Sequence, residues 1–218
     1  MMNRSPSGVG DLCTLSTPEG TLLLGFSTVE NRKYRGWYLD DIAEDQGKNW
    51  IDAAFDLVLA ESGRIGTIFF MMSEENVALQ IAQPWIKFGT DAGGADPVEA
   101  RGLTHPRAYG TFTRVLGRYV REQRATTLEE AVRKMSSAVA TRLHIKNRGL
   151  LKEGFFADVV VFDPETVGDN ATYEEPHQLS TGVHQLFVNG VPVVTDGQHT
   201  GALPGRPLRG PGWRGWRR

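Results

Sequence analysis

Asp91 occupies the position in the sequence that is best suited to chemistry. It follows the apolar segment 85–90 and opens a glycine-rich turn, Asp-Ala-Gly-Gly. Segment 85–90 is predicted to be a strand, and βα barrels carry their catalytic groups at the carboxyl ends of the strands. A carboxylate at that place can transfer protons or bind a metal ion. Asp also starts many turns before glycine, so from position alone a structural role is an equal alternative.

Two further polar residues lie in the loop that follows Asp91. His105 and Arg107 belong to the segment THPRAYG, and both can face the same site as Asp91. For Arg107, the alternative to contacting a substrate carboxylate is a role as an anchor of the loop. The five histidines show neither H-x-H nor H-E-x-x-H spacing, so no local zinc site is predicted. Cys13 has no neighbouring histidine, and we interpret it as a buried or incidental thiol.

The elements before Asp91 alternate between helix and strand. This alternation is typical of βα units and predicts a parallel sheet. The predicted elements are a helix capped by Asn49, a strand over 65–71, a helix from Ser73 to Gln83, and a strand over 85–90.

The second half of the chain changes from helical to β character near residue 150. A helix is predicted over 111–124, and the capping box from Thr127 to Glu130 starts another. A strand is predicted over 157–163, and the dipeptide Asn189-Gly190 indicates a hairpin. Pro192 marks the second hairpin strand as an edge strand.

These patterns divide the chain into four predicted regions. Residues 1–20 form an irregular segment with a short strand at 12–15, and 21–149 form the βα region. Residues 150–200 form a small β domain, and 201–218 form an Arg/Gly/Pro-rich tail. The fold class is therefore α/β with an additional small β portion.

The composition excludes several classes of protein. Of the 218 residues, 40% are hydrophobic and 23% are charged, which is typical of a globular protein. A net charge of -2 provides no field for recruiting nucleic acid or an anionic membrane. The chain has one cysteine, no apolar run long enough for a membrane helix, and a start without an apolar signal region. We therefore expect a soluble, cytoplasmic protein.

Four segments, in the same order, resemble a known family over about residues 30–212. Together they resemble the N-acyl-D-amino-acid deacylases, or D-aminoacylases, of the amidohydrolase superfamily. The segments are FFMMSEENVALQIAQPWIKFGTDAGG, THPRAYGTFTRVLGRYVREQ, SSAVATRLHIKNRGLLKEGFFADVVVFD and VNGVPVVTDGQHTGALPGRPLRGPG.

The resemblance implies a fold, a reaction and a set of site residues. The fold is the last part of a (β/α)8 TIM-barrel metallohydrolase with a portion of a small β-sandwich. The reaction is zinc-dependent hydrolysis of N-acyl-D-amino acids to a carboxylate and a D-amino acid. Asp91 matches the aspartate that moves the proton and contacts the metal. Phe69 and Met72 match positions that shape the substrate pocket, and His105 and Arg107 match the family's H-P-R loop. For Met72, a place in the core is an equal alternative.

The family's H-x-H motif, its ligating cysteine and its two later histidine ligands have no counterpart in this sequence. The resemblance implies one or two zinc ions in the complete enzyme, so we expect this chain alone to bind zinc weakly or not at all. The double Met start and the unpatterned first 20 residues favour a truncated gene or a wrongly assigned start.

Several alternatives for activity and assembly remain open. One is an amidohydrolase that acts on a cyclic amide or a dipeptide. Another is a non-catalytic fragment, or a subunit that contributes Asp91 to a partner chain. A homo-oligomer and a complementing N-terminal half are both open as assemblies.

Overall fold

The computed structural model describes residues 12–94, 96–100 and 102–214. The described residues divide into two compact units that are interleaved along the chain. The first unit contains the residues up to Glu74, those from 96 to Pro106, and Thr172–His177. The second contains Glu75–Gly94, Arg107–Ala171 and the residues from Gln178 onward. The four regions predicted from the sequence differ in kind from these interleaved units and stay a prediction. Residues 1–11 of the first region lie outside the described residues.

The first unit contains three helices and two strands. They are α1 (Leu12–Ser16), β1 (Thr21–Gly25), α2 (Leu39–Asp45), α3 (Trp50–Ala60) and β2 (Gly66–Phe69), with 3-10 turns at Pro18–Gly20 and Glu30–Tyr34. Five buried side chains form its core cluster: Leu23, Tyr34, Leu39, Ile42 and Leu57. Because these side chains come from β1, the second turn, α2 and α3, their burial ties the elements together.

Helix α3 begins at the position that its sequence predicts. The side-chain oxygen of Asn49 accepts hydrogen bonds from the backbone N–H groups of Ile51 and Asp52, both at 3.0 Å. This satisfies two of the free donors of the first turn and confirms Asn49 as the cap. At the other end, Ser62 and Gly63 take the left-handed conformation, with φ of 58° and 100°, so the helix cannot continue.

Two predictions for strands in this region are wrong. The strand predicted at 12–15 is the helix α1. The strand predicted over 85–90 has no regular secondary structure. Among the described residues no strand pairs with that segment, and an unpaired strand leaves its backbone N–H and C=O groups without partners.

The predicted parallel sheet is also absent from the described part of the chain. β1 pairs with β2 in the antiparallel sense, with Thr21 opposite Phe69 and Leu22 opposite Ile68. A parallel pair needs a crossover that returns the chain to its starting edge, usually one helix. Two helices, α2 and α3, lie between β1 and β2 instead.

The helices of the second unit have other bounds than the sequence predicts. α4 (Glu74–Ala82) is followed by α5 (Arg107–Arg114), which continues as a π-helical stretch (Val115–Glu122). The side chain of Thr127 accepts a hydrogen bond from the N–H of Glu130 at 3.2 Å, which confirms the cap of α6 (Leu128–Met135). The backbone at Ser136 then breaks the predicted helix, and α7 (Ser137–Arg142) follows.

A four-stranded antiparallel sheet completes the second unit. Its strands are β3 (Val159–Phe162), β4 (Val183–Val188), β5 (Val191–Thr195) and β6 (Gln198–His199), in that order across the sheet. Asn189 and Gly190, with φ of 52° and 81°, form the predicted hairpin turn between β4 and β5. The prediction that β5 is an edge strand is wrong, because β5 lies between β4 and β6. Pro192 is tolerated because β6 pairs only with Val194 and Thr195.

The core of the second unit joins its helices to its sheet region. Six buried residues form the cluster: Ile81, Val115, Leu116, Tyr119, Ala131 and Val167. Phe88, three residues before Asp91, packs against this cluster and fixes the segment that leads to the candidate site. In the part of the chain that the structure describes, no helix is long and apolar enough to cross a membrane.

Candidate functional site

Asp91 lies in an exposed loop with an unusual backbone conformation. Its φ is 47°, in the left-handed region, and its side chain is 89% exposed. Asp tolerates this region better than most residues with a side chain, because its short polar group bonds locally. Non-glycine residues in such conformations often occur at functional sites. The Asp91 carboxylate is therefore accessible to a ligand from the solvent.

The structure brings Asp91 together with Arg107. The carboxylate oxygen Oδ2 of Asp91 lies 3.0 Å from the guanidinium nitrogen Nη2 of Arg107, the first residue of α5. Such an exposed ion pair contributes only about 0–1 kcal/mol to stability. Its larger effect is to orient the carboxylate, because a guanidinium presents donors in a rigid fork. The predicted role of Arg107 in binding substrate stays a prediction.

The other three predicted site residues lie in the first unit. Phe69 is the last residue of β2 and is half-buried, whereas Met72 is 64% exposed. The exposure of Met72 argues against a place in the core. His105 is half-buried, and its imidazole packs edge-on against the ring of Tyr173, with the ring centroids 5.4 Å apart.

Sequence reasoning missed the aromatic neighbours of His105. Tyr173 also contacts Phe70, with centroids 4.6 Å apart, and Phe70 contacts Tyr38 at 6.1 Å. We call Tyr38, Phe70, His105 and Tyr173 the aromatic cluster. No local signal identifies it, since its members come from four separate segments and Tyr173 lies outside the four segments that carry the family resemblance.

The described residues do not fit a zinc ion by themselves. Across 12–94, 96–100 and 102–214, no group of three His, Cys, Asp or Glu side chains could hold a metal. Asp91 faces a guanidinium, which repels a divalent cation, and zinc needs about four ligands. The side chain of Cys13 lies outside the described residues. Any zinc bound beside Asp91 therefore needs ligands from elsewhere.

A family model identifies the class of protein. The Amidohydrolase family model matches residues 51–194, a range that contains Asp91, His105, Arg107, Phe69 and Met72. The chain therefore belongs to the amidohydrolase family, as its motifs predicted.

Two curated relatives from Alcaligenes xylosoxydans xylosoxydans are similar to most of this chain. A D-aminoacylase is 42% identical over 170 residues, which cover 78% of this chain and 33% of the relative. An N-acyl-D-aspartate deacylase is 39% identical over 172 residues, covering 76% and 33%. The chain thus spans about a third of the length of the curated relatives that it matches.

Solved structures show the same similarity in three dimensions. A D-aminoacylase structure described as defining a novel subset of amidohydrolases has a TM-score of 0.71 and 37% identity, over 84% of this chain and 36% of that one. An N-acyl-D-glutamate deacylase from Bordetella bronchiseptica, complexed with zinc and a phosphonate that mimics the tetrahedral intermediate, has a TM-score of 0.71 and 38% identity, over 91% and 38%. Of these two structures, that of the N-acyl-D-glutamate deacylase contains zinc.

Proposed function

We propose that this chain supplies the part of an N-acyl-D-amino-acid deacylase that carries the proton-transfer carboxylate. The reaction hydrolyses the amide bond and gives a carboxylate and a D-amino acid. The observation that carries the proposal is the presentation of Asp91: an exposed carboxylate in a left-handed turn, oriented by Arg107. The D-aminoacylase relative, 42% identical, supports the choice of substrate class over a cyclic amide or a dipeptide.

Asp91 acts in both proton transfers of the hydrolysis. Its carboxylate takes a proton from the water whose oxygen attacks the acyl carbonyl carbon. As the carbon–nitrogen bond breaks, Asp91 returns that proton to the leaving nitrogen, so that a free amine departs. Arg107 keeps the carboxylate pointed at the reacting atoms and contacts the substrate carboxylate. Phe69, Met72 and His105 are assigned to the substrate pocket of the complete enzyme.

The proposal includes the fold and the metal of the complete enzyme. In the complete enzyme the chain would supply the last βα units of a (β/α)8 barrel and a portion of a small β-sandwich, for which the similarity to the D-aminoacylase structure is the support. One or two zinc ions would be held in the complete enzyme mainly by ligands beyond the described residues, with Asp91 as one contact. The predicted cytoplasmic location, the absence of nucleic-acid or membrane partners, and assembly as a homo-oligomer or with a complementing half stay predictions.

Complementation tests the proposal directly. We would co-express the full chain with the part of the Alcaligenes D-aminoacylase that it does not match, and purify the complex with zinc. We expect release of free amino acid from N-acetyl-D-leucine and none from a hydantoin or a dipeptide. The Asp91→Asn variant is expected to lower kcat by about 10²–10⁴, the usual contribution of a general acid–base group.

The matched control is Asp96→Asn, which alters another exposed carboxylate of the same loop. Its kcat should stay close to that of the unmodified chain. A complex that is folded, loaded with zinc and inactive on every N-acyl-D-amino acid would overturn the proposal. Hydrolysis of a hydantoin or a dipeptide instead would assign the second substrate class.

A further inference from the structure

The segment Thr172–His177 folds onto the loop that carries His105, within the first unit. The Nε2–H of His177 donates to the carbonyl oxygen of Gly102, at a distance of 2.8 Å. Pro176 of the same segment is fully buried. Tyr173 is thereby fixed where its ring meets the imidazole of His105 at an interplanar angle of 75°. A segment distant in sequence thus determines the surroundings of a predicted substrate-binding residue.

Tyr173 contacts aromatic groups on two sides. Its ring also meets Phe70 edge-on, with centroids 4.6 Å apart and an interplanar angle of 64°. Phe70 directly follows Phe69 and lies two residues before Met72, the two residues assigned to the substrate pocket. Edge-to-face pairs have a preferred geometry because the positive edge of one ring meets the negative face of the other. Tyr173 therefore restricts both the tilt and the position of the His105 imidazole.

We propose that Tyr173 is a positioning residue that holds the His105 imidazole for contact with the substrate. This role rests on the proposed function, because His105 then binds an N-acyl-D-amino acid. Tyr173 acts through His105 and takes no part in the proton transfer of Asp91. Its effect therefore falls on substrate binding rather than on the chemical step, and the ring, not the hydroxyl, provides it.

The first arm of the test measures the position of His105 without any catalysis. The NMR signals of the His105 imidazole are compared in the full chain and in its Tyr173→Leu and Tyr173→Phe variants. Tyr173→Leu removes the ring, so the His105 signals should move, whereas Tyr173→Phe should leave them near their original positions. The control, Phe55→Leu, removes an exposed ring from α3 of the same unit and should not move them.

The second arm measures kinetics in the complemented complex with N-acetyl-D-leucine. For Tyr173→Leu we expect KM to rise about 3- to 10-fold, as the loss of one aromatic pair implies, while kcat changes less than about two-fold. Tyr173→Phe should restore KM. Equal KM values for all three proteins would overturn the proposal, as would a KM for Tyr173→Phe that equals that of Tyr173→Leu.

The two arms separate failure of this proposal from failure of the proposed function. A complex that hydrolyses no N-acyl-D-amino acid removes the proposed function and, with it, the substrate-binding part of the role of Tyr173. The NMR comparison still decides whether Tyr173 holds His105. His105 signals that are unchanged in Tyr173→Leu would overturn that placement whatever the activity.

Discussion

Glu61 is a buried carboxylate with hydrogen-bond donors on several sides. It caps the carboxyl end of α3 and is only 7% exposed. Its oxygens accept from the backbone N–H of Ser27 at 2.5 Å, the N–H of Thr28 at 3.2 Å and the Nδ2 of Asn31 at 3.0 Å, and also from the Thr28 hydroxyl. Glu61 therefore fixes the turn that joins β1 to the rest of the first unit.

The pKa of Glu61 sets the size of its effect on stability. Burial raises this pKa, but the hydrogen bonds from Thr28, Asn31 and Ser27 outweigh burial and lower it from 4.5 to about 2. Since each pKa unit corresponds to ~1.4 kcal/mol, the ionised group stabilises the fold by about 3–4 kcal/mol. We expect Glu61→Gln to lower the free energy of unfolding at pH 7 by that amount, because the amide donates where the carboxylate accepts.

The sign of the pH dependence follows from the lowered pKa. The contribution of Glu61 is fully present above the unfolded pKa of about 4.5 and is lost as the pH falls through the folded pKa near 2. The difference in unfolding free energy between the unmodified chain and Glu61→Gln should therefore shrink between pH 5 and pH 2. Urea unfolding followed by circular dichroism measures it, and hydrogen exchange of the Ser27 and Thr28 amides reports the local effect.

The control is Glu44→Gln, which changes an exposed glutamate of α2 in the same unit. It should alter stability by less than about 0.5 kcal/mol. The reasoning is refuted if Glu61→Gln costs no more than this control at pH 7. It is also refuted if the cost of Glu61→Gln is the same at pH 7 and pH 2.

Two further predictions concern the second unit. Lys134 is fully buried on α6 and donates to the carbonyl of Ile81 near the end of α4, so Lys134→Ala should cost about 2–4 kcal/mol in urea unfolding. The control, Arg142→Ala, changes an exposed residue and should cost less than about 0.5 kcal/mol. Equal losses of stability in the two variants would contradict a stabilising role for Lys134. Gly182 has a φ of 77°, and a Cβ there would overlap the backbone of Val167, so Gly182→Ala should cost about 3 kcal/mol or more. Gly190→Ala has a similar φ of 81° but open space, so about 1 kcal/mol is expected, and thermal unfolding distinguishes the two.

The features predicted correctly depend on residues close together in sequence. Asn49 caps α3, Thr127 caps α6, and Asn189-Gly190 turns the hairpin, and each is determined by its own side chain and immediate backbone. The adjacency of Asp91 and Arg107 was also anticipated, because both belong to one loop region. Local chemistry of this kind is visible in a single sequence.

The features that sequence reasoning missed depend on distant partners. Segment 85–90 has the composition of a strand, but a strand forms only where another strand supplies hydrogen bonds. β1 pairs with β2 although two helices separate them in sequence, and the pairing is antiparallel where a parallel sheet was expected. The contact of Tyr173 with His105 joins segments far apart in sequence, and nothing in either segment predicts it.

The central claim is that the Asp91 carboxylate transfers the proton in amide hydrolysis. The most direct test is the ratio of kcat values for Asp91→Asn and Asp96→Asn in the zinc-loaded complemented complex with N-acetyl-D-leucine. We predict that Asp91→Asn is about 10²–10⁴ slower, with unchanged folding and zinc content. Equal kcat values for the two variants would contradict the claim and leave Asp91 as a residue of the turn.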